Sequence, residues 1–149
     1  MTTSEEYAQK WIDELTFAGM TVLQKTPIER ETSATVGLYA VNGVDVEPSV
    51  AINAHAPDFL PTLDHQWERH VEASALYSEN GEILVCSPVV CPDDVGWLLI
   101  QDPLRGESLA SRLMEAKASP EFLALSTDGR HLCAISVEDD DYWIVTHNF

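Results

Sequence analysis

Between Phe122 and Thr146 three apolar runs of strand length are separated by two tight polar turns, and this spacing constrains the fold more than any other feature of the chain. Phe122 to Ser126 precedes the Asp128-Gly129 turn, His131 to Val137 follows it, and Tyr142 to Thr146 lies beyond Glu138-Asp139-Asp140-Asp141. Turns this short join only antiparallel neighbours, because a parallel crossover needs a dozen residues or more. An antiparallel meander is therefore expected here, ending in a strand.

The other end of the chain has a different period. Tyr7, Ala8, Trp11, Ile12, Leu15 and Ala18 recur at helical spacing, with Gln9, Lys10, Asp13 and Glu14 on the opposite side. Thr3 with Glu6 forms a capping-box pattern, Glu5 and Glu6 suit the positive helix start, and Gly19 supplies a left-handed stop. An amphipathic helix over 3–19 follows. A second helix is expected over 107–117, with Leu109, Arg112, Leu113 and Ala116 on one stripe and Pro120 beyond its end.

The middle of the chain reads as strands and turns. Thr21 to Gln24 is a short strand, and Ala34 to Val41 leads into the Asn42-Gly43 turn. Val44 to Asn53 returns as an edge or bulged strand because Pro48 lacks an amide hydrogen. Ala54 to Asp64, with Pro57 and Pro61 and no period, reads as the longest loop. His70 to Tyr77 and Ile83 to Cys86 flank Glu79-Asn80-Gly81-Glu82 and are expected to pair as a central hairpin. Pro92-Asp93-Asp94 suits a short helical turn, and Trp97 to Ile100 fits a buried strand or a helix equally well. Together these elements predict one α+β domain over 1–149. Its mainly antiparallel sheet, built from hairpins, is covered on one face by the N-terminal helix and the helix near 107–117.

Charge excludes several functions. Twenty-five acidic residues stand against eight lysines and arginines, a formal net charge of −17, so a phosphate-backbone partner is not expected. Because 45% of residues are hydrophobic, the chain has enough apolar side chains for a core and falls outside the disordered acidic class. The acidic start lacks the basic and apolar regions of a secretory signal, and no window approaches the roughly 18 apolar residues of a membrane span. A soluble cytoplasmic protein without a membrane partner is the expectation. Cys86, Cys91 and Cys133 are an odd count, which suits reduced, buried thiols.

Candidate chemistry is sparse. Cys86, Cys91, His131 and Cys133 offer a sulfur and nitrogen set, but their spacing matches no zinc knuckle, so no metal or cofactor is expected. In His65-Gln66-Trp67-Glu68-Arg69-His70 the histidines are five apart, whereas a helical zinc pair needs four. Five histidines could serve as bases, yet there is no Gly-x-Ser-x-Gly elbow, and the seven glycines form no phosphate cradle. An alternative remains a small hydrolase or metal-binding enzyme using His65, His70 or His131 with a carboxylate or thiol in a pocket.

Acidic residues gather at turns and exposed strand positions: Glu29 and Glu31, Asp45 and Glu47, Glu79 and Glu82, Asp93 and Asp94, and Glu138 to Asp141. The last group runs directly into Tyr142-Trp143 and lacks the central glycine and terminal glutamate of a calcium loop. Carboxylates beside aromatics suit an interface, where the acids steer a cationic partner and an aromatic anchors it. Asp139, Asp140, Asp141 and Trp143 are the expected partner-binding residues, with Glu79 and Glu82 as secondary candidates on a neighbouring turn. No catalytic residue is assigned.

In overall character, though not through a diagnostic motif, the chain resembles the bacterial immunity proteins that neutralise toxins: small, acidic, cytoplasmic α+β domains. The resemblance implies a non-enzymatic inhibitor of a basic toxin domain, such as a nuclease. Acidic type III secretion chaperones are similar in size and charge, but they end in a long amphipathic helix where this chain has Tyr142 to Thr146. A DNA-mimic inhibitor is a further alternative, requiring carboxylates in a phosphate-like track along one face.

Overall fold

The computed structural model describes residues 4–28, 48–86, 97–138 and 140–148. The capping residue Thr3, the expected strand 34–41 with its Asn42-Gly43 turn, the Pro92-Asp93-Asp94 turn, Cys91 and Asp139 lie outside the described residues, as do Glu29, Glu31, Asp45 and Glu47. In order, the elements are α1 (Ser4–Phe17), β1 (Thr21–Ile28), β2 (Val50–Asn53), α2 (Phe59–Ser74), β3 (Glu82–Cys86), β4 (Trp97–Gln101), α3 (Leu109–Lys117), β5 (Phe122–Leu125), β6 (His131–Glu138) and β7 (Asp141–Asn148). The seven described strands form one antiparallel sheet in the order β1-β4-β3-β5-β6-β7-β2, so the protein is α+β.

The meander forms as its turns require. Leu125 pairs with Leu132 across the first turn and Glu138 with Asp141 across the second. Alternation along the strands then sorts the core into two layers. Ile83, Val85, Leu98, Ile100, Phe122, Ala124, Cys133, Ile135 and Ile144 face the helices and pack with Trp11, Leu15, Leu63, Trp67, Leu109 and Leu113. Leu84, Cys86, Trp97, Leu123, Leu125, Leu132, Ala134 and Val145 form a second buried cluster on the opposite face. Burial on both faces explains why β3, β4 and β5 read as continuous apolar runs, and it makes 97–101 a strand.

Helix α1 and the turn after it bury Trp11, Ile12, Leu15 and Ala18 of the expected stripe, with Ala8 partly buried, and the helix ends at Gly19 (φ +90°), where Gly19 and Met20 donate to the Thr16 and Leu15 carbonyls. Helix α3 starts at Leu109, two residues later than expected, and buries Leu109, Ala110 and Leu113.

Two expectations fail together. His70 to Tyr77 is not a strand, and most of the stretch Ala54 to Asp64 is not loop, because Phe59–Ser74 is a helix burying Leu63, Trp67 and Val71 at four-residue steps. Pro61 is tolerated there because it falls in the first helical turn, whose amides have no intrahelical acceptor. The turn at Glu79 to Glu82 therefore connects a helix to β3 instead of closing a hairpin. Among the described strands β2 lies at an edge of the sheet, and it begins at Val50, after Pro48. No helix among the described residues is long and apolar enough to cross a membrane.

Candidate partner-binding site

Pairing of Glu138 with Asp141 places the expected acidic turn at the tip of the β6–β7 hairpin. The tip is braced from the β2–α2 connection: Ala54 donates its amide to the Asp140 carbonyl (2.7 Å), and His55 Nε2 lies 3.1 Å from Asp140 Oδ1. Both side chains of that last contact are more than three-quarters exposed, so solvent screens it. Alternation sends the two aromatics to opposite faces. Tyr142 stacks on Phe59 (5.4 Å, 22°) on the helix side, whereas Trp143 packs half-buried against the second cluster. Asp140 and Asp141 are thus together at the tip, while Trp143 has part of its surface committed to the fold.

Glu79 and Glu82 are not beside them. Glu82 opens β3 opposite Gln101, at the end of the sheet where β6 begins and β7 finishes, and the acidic tip is at the other end. The separation is roughly 25 Å along the strands at about 3.3 Å per residue. The turn is therefore not a neighbour of the hairpin tip.

The end of the sheet holding Glu79 and Glu82 carries a cleft of about 420 Å³ between the C-terminal half of α2 and the segment following β4. Glu68, Val71, Glu72 and Ala75 line one wall, Leu104, Arg105 and Glu107 the other, and Tyr77 also lines it. Because 68, 71, 72 and 75 share one face of a helix, the acids and apolar side chains interleave along that wall. No described hydrogen bond or ion pair engages the carboxylates of Glu68, Glu72 or Glu107. Arg105 instead donates to the backbone carbonyls of Ser78 (3.4 Å) and Glu79 and meets no carboxylate among the described residues.

A buried ion pair shapes the second wall. Asp102 is fully buried at the end of β4, and its Oδ1 accepts from the Leu104 amide (3.1 Å) and Arg112 Nη1 (3.2 Å). Its Oδ2 accepts from the Gly106 amide (2.8 Å) and Arg112 Nη2 (2.9 Å). Arg112 uses its remaining donors on the Ala18 and Glu107 carbonyls, joining the end of α1, the end of β4 and α3. The turn so held contains left-handed residues at Arg105 (φ +49°), Gly106 (+88°) and Ser108 (+55°). Ser108 gives α3 no side-chain cap, and Asp64 of α2 replaces it, accepting from the amide (3.0 Å) and hydroxyl of Ser111.

Beneath this turn, Trp67 Nε1 and the Tyr77 hydroxyl are buried and make no hydrogen bond among the described residues. Both lie against Gly106, where a Cβ would come within 3.0 Å of the indole nitrogen and 3.1 Å of the phenol oxygen. Burial pushes the Tyr77 phenol well above its ordinary range, and Asp102 adds to this. Arg112 and the neighbouring Trp67 indole N–H act the other way.

Of the sulfur and nitrogen set weighed from the sequence, the described members Cys86, His131 and Cys133 do not come together as a metal-binding group. Cys133 lies in the helix-side core and Cys86 in the opposite cluster, with the sheet between them. Burial raises the Cys133 thiol far above its ordinary pKa, as suits a structural cysteine. His131 pairs with Asn148 (2.9 Å), His70 Nδ1 donates to the Gln66 carbonyl (2.7 Å), and His55 stands at the hairpin tip, so these imidazoles are spread over three parts of the fold. No group of three or more His, Cys, Asp or Glu side chains suited to a metal occurs among the described residues. Comparison with known protein families, curated proteins and solved structures finds no significant match to this chain. Its function is therefore argued from the surfaces themselves.

Proposed function

We propose that the protein is a non-enzymatic binding protein that neutralises a cationic protein partner by covering its active or substrate-binding surface. The observation that supports this most is how few acids are paired with a cation among the described residues. Among the described residues the ion pairs are Arg112–Asp102, which is buried, and His55–Asp140, which is exposed. Arg105 and Lys117 direct their donors to backbone carbonyls instead. A chain of formal charge −17 with its surface carboxylates so available carries self-repulsion that a positively charged surface relieves, and it accelerates encounter with that surface.

This reading agrees with the resemblance to immunity proteins and carries with it a bacterial cytoplasmic setting and a basic toxin domain as partner. Two acidic surfaces are available, the hairpin tip with Asp140 and Asp141 and the cleft with Glu68, Glu72 and Glu107. Co-expression with the product of the adjacent reading frame tests it. That product is expected to be basic and toxic, and the chain should restore growth and form a complex whose association rate falls as salt rises. Growth arrest that persists despite abundant folded chain would contradict it.

A further inference from the structure

We infer that the cleft between α2 and the 102–108 turn receives an arginine side chain of the partner; this rests on the reading above and narrows it to one site. Three carboxylates, Glu68, Glu72 and Glu107, stand at the cleft against one guanidinium, Arg105, already turned onto the Ser78 and Glu79 carbonyls. Between the acids lie Val71, Ala75 and Leu104, and Leu104 is 48% exposed. Acid walls around an apolar middle match a side chain with an aliphatic stem and a cationic end.

Tyr77 provides the second, independent indication. It lines the cleft, and its buried hydroxyl makes no hydrogen bond that meets ordinary geometry among the described residues. Leaving a buried hydroxyl unsatisfied costs on the order of 1–3 kcal/mol, so a site that keeps one is incomplete. A phenol oxygen accepts hydrogen bonds, and a guanidinium carries five donors. The hydroxyl sits against Gly106, within the turn that holds the left-handed Arg105 and Ser108. Arginine fits better than lysine because its guanidinium is weakly hydrated and bonds carboxylates in two directions at once. The volume of about 420 Å³ lies near the small end of the roughly 300–1,000 Å³ typical of ligand pockets, enough for one long side chain.

Titration of the full chain with tetra-arginine at low salt, followed by NMR, tests the inference. The amides of Val71, Leu104 and Gly106 and the Trp67 indole N–H should shift saturably, and tetra-lysine should bind several-fold more weakly. The Glu72→Gln/Glu107→Gln double variant should lose about tenfold in affinity. Leu104→Ser, an exposed position whose change leaves the core intact, should weaken binding as well. Shifts confined to Asp140 and Asp141, with both variants binding like the parent, would overturn the cleft while leaving the acidic-inhibitor reading in place. No saturable binding anywhere would remove that reading too.

Discussion

Asp102 and Asp140 are the same residue type at opposite ends of one sheet, and they do opposite work. Asp102 has no exposed surface, and four donors saturate its carboxylate. Asp140 is 79% exposed, and its one described side-chain contact is an equally open histidine. The first holds the turn that forms a wall of the cleft; the second presents charge to solvent. A strongly acidic composition therefore mixes two populations, and only the carboxylates without internal donors are available to a partner.

The contrast breaks most decisively at Asp102. Replacing it with alanine leaves the largely buried Arg112 without its counter-charge, and a loss of about 3–5 kcal/mol in chemical denaturation is expected. A loss under 1 kcal/mol would make the pair incidental. Gly106→Ala comes next, because it places a Cβ against Trp67 and Tyr77 at a left-handed position. A cost of about 1–3 kcal/mol is expected, with the Trp67 indole resonance displaced.

The same end of the molecule predicts a pH effect. Folding raises the Tyr77 pKa, so its contribution to stability is fully present below the ordinary tyrosine value near 10 and declines as pH rises beyond it. Denaturation midpoints should therefore fall in strong alkali, and Tyr77→Phe should flatten that fall. Asp140→Asn should be smallest, within about 0.5 kcal/mol, because an exposed His–Asp contact contributes little. A larger loss would mean that the hairpin tip is structural as well.

Where the sequence carried explicit punctuation, the fold was legible. Gly19 ended α1, Asp128-Gly129 turned β5 into β6, and the acidic turn joined β6 to β7. Helix α2 had none. Its N-cap Asp58 makes no side-chain bond, prolines flank and enter its first turn, and it ends on Ala75 in a left-handed conformation that usually marks itself with glycine. Tertiary burial of Leu63, Trp67 and Val71 supplies what these local signals lack.

Missing α2 also hid the cleft, since Glu68 and Glu72 become neighbours only on a helix. One clue was present: Arg112 falls on the apolar stripe of the second expected helix, a position where a cation needs a buried partner. Asp102 could not be picked out as that partner, because the pairing depends on where β4 ends relative to α3.

The central claim is that few of the described surface acids are paired with a cation within the chain, and thermal denaturation at varied ionic strength measures this directly. Raising sodium chloride from about 10 mM to about 200 mM shortens the screening length from roughly 30 Å to below 10 Å. The midpoint is expected to rise steadily as self-repulsion among the unpaired carboxylates is screened. A midpoint that stays constant or falls would show that the acids are already paired and would contradict the account.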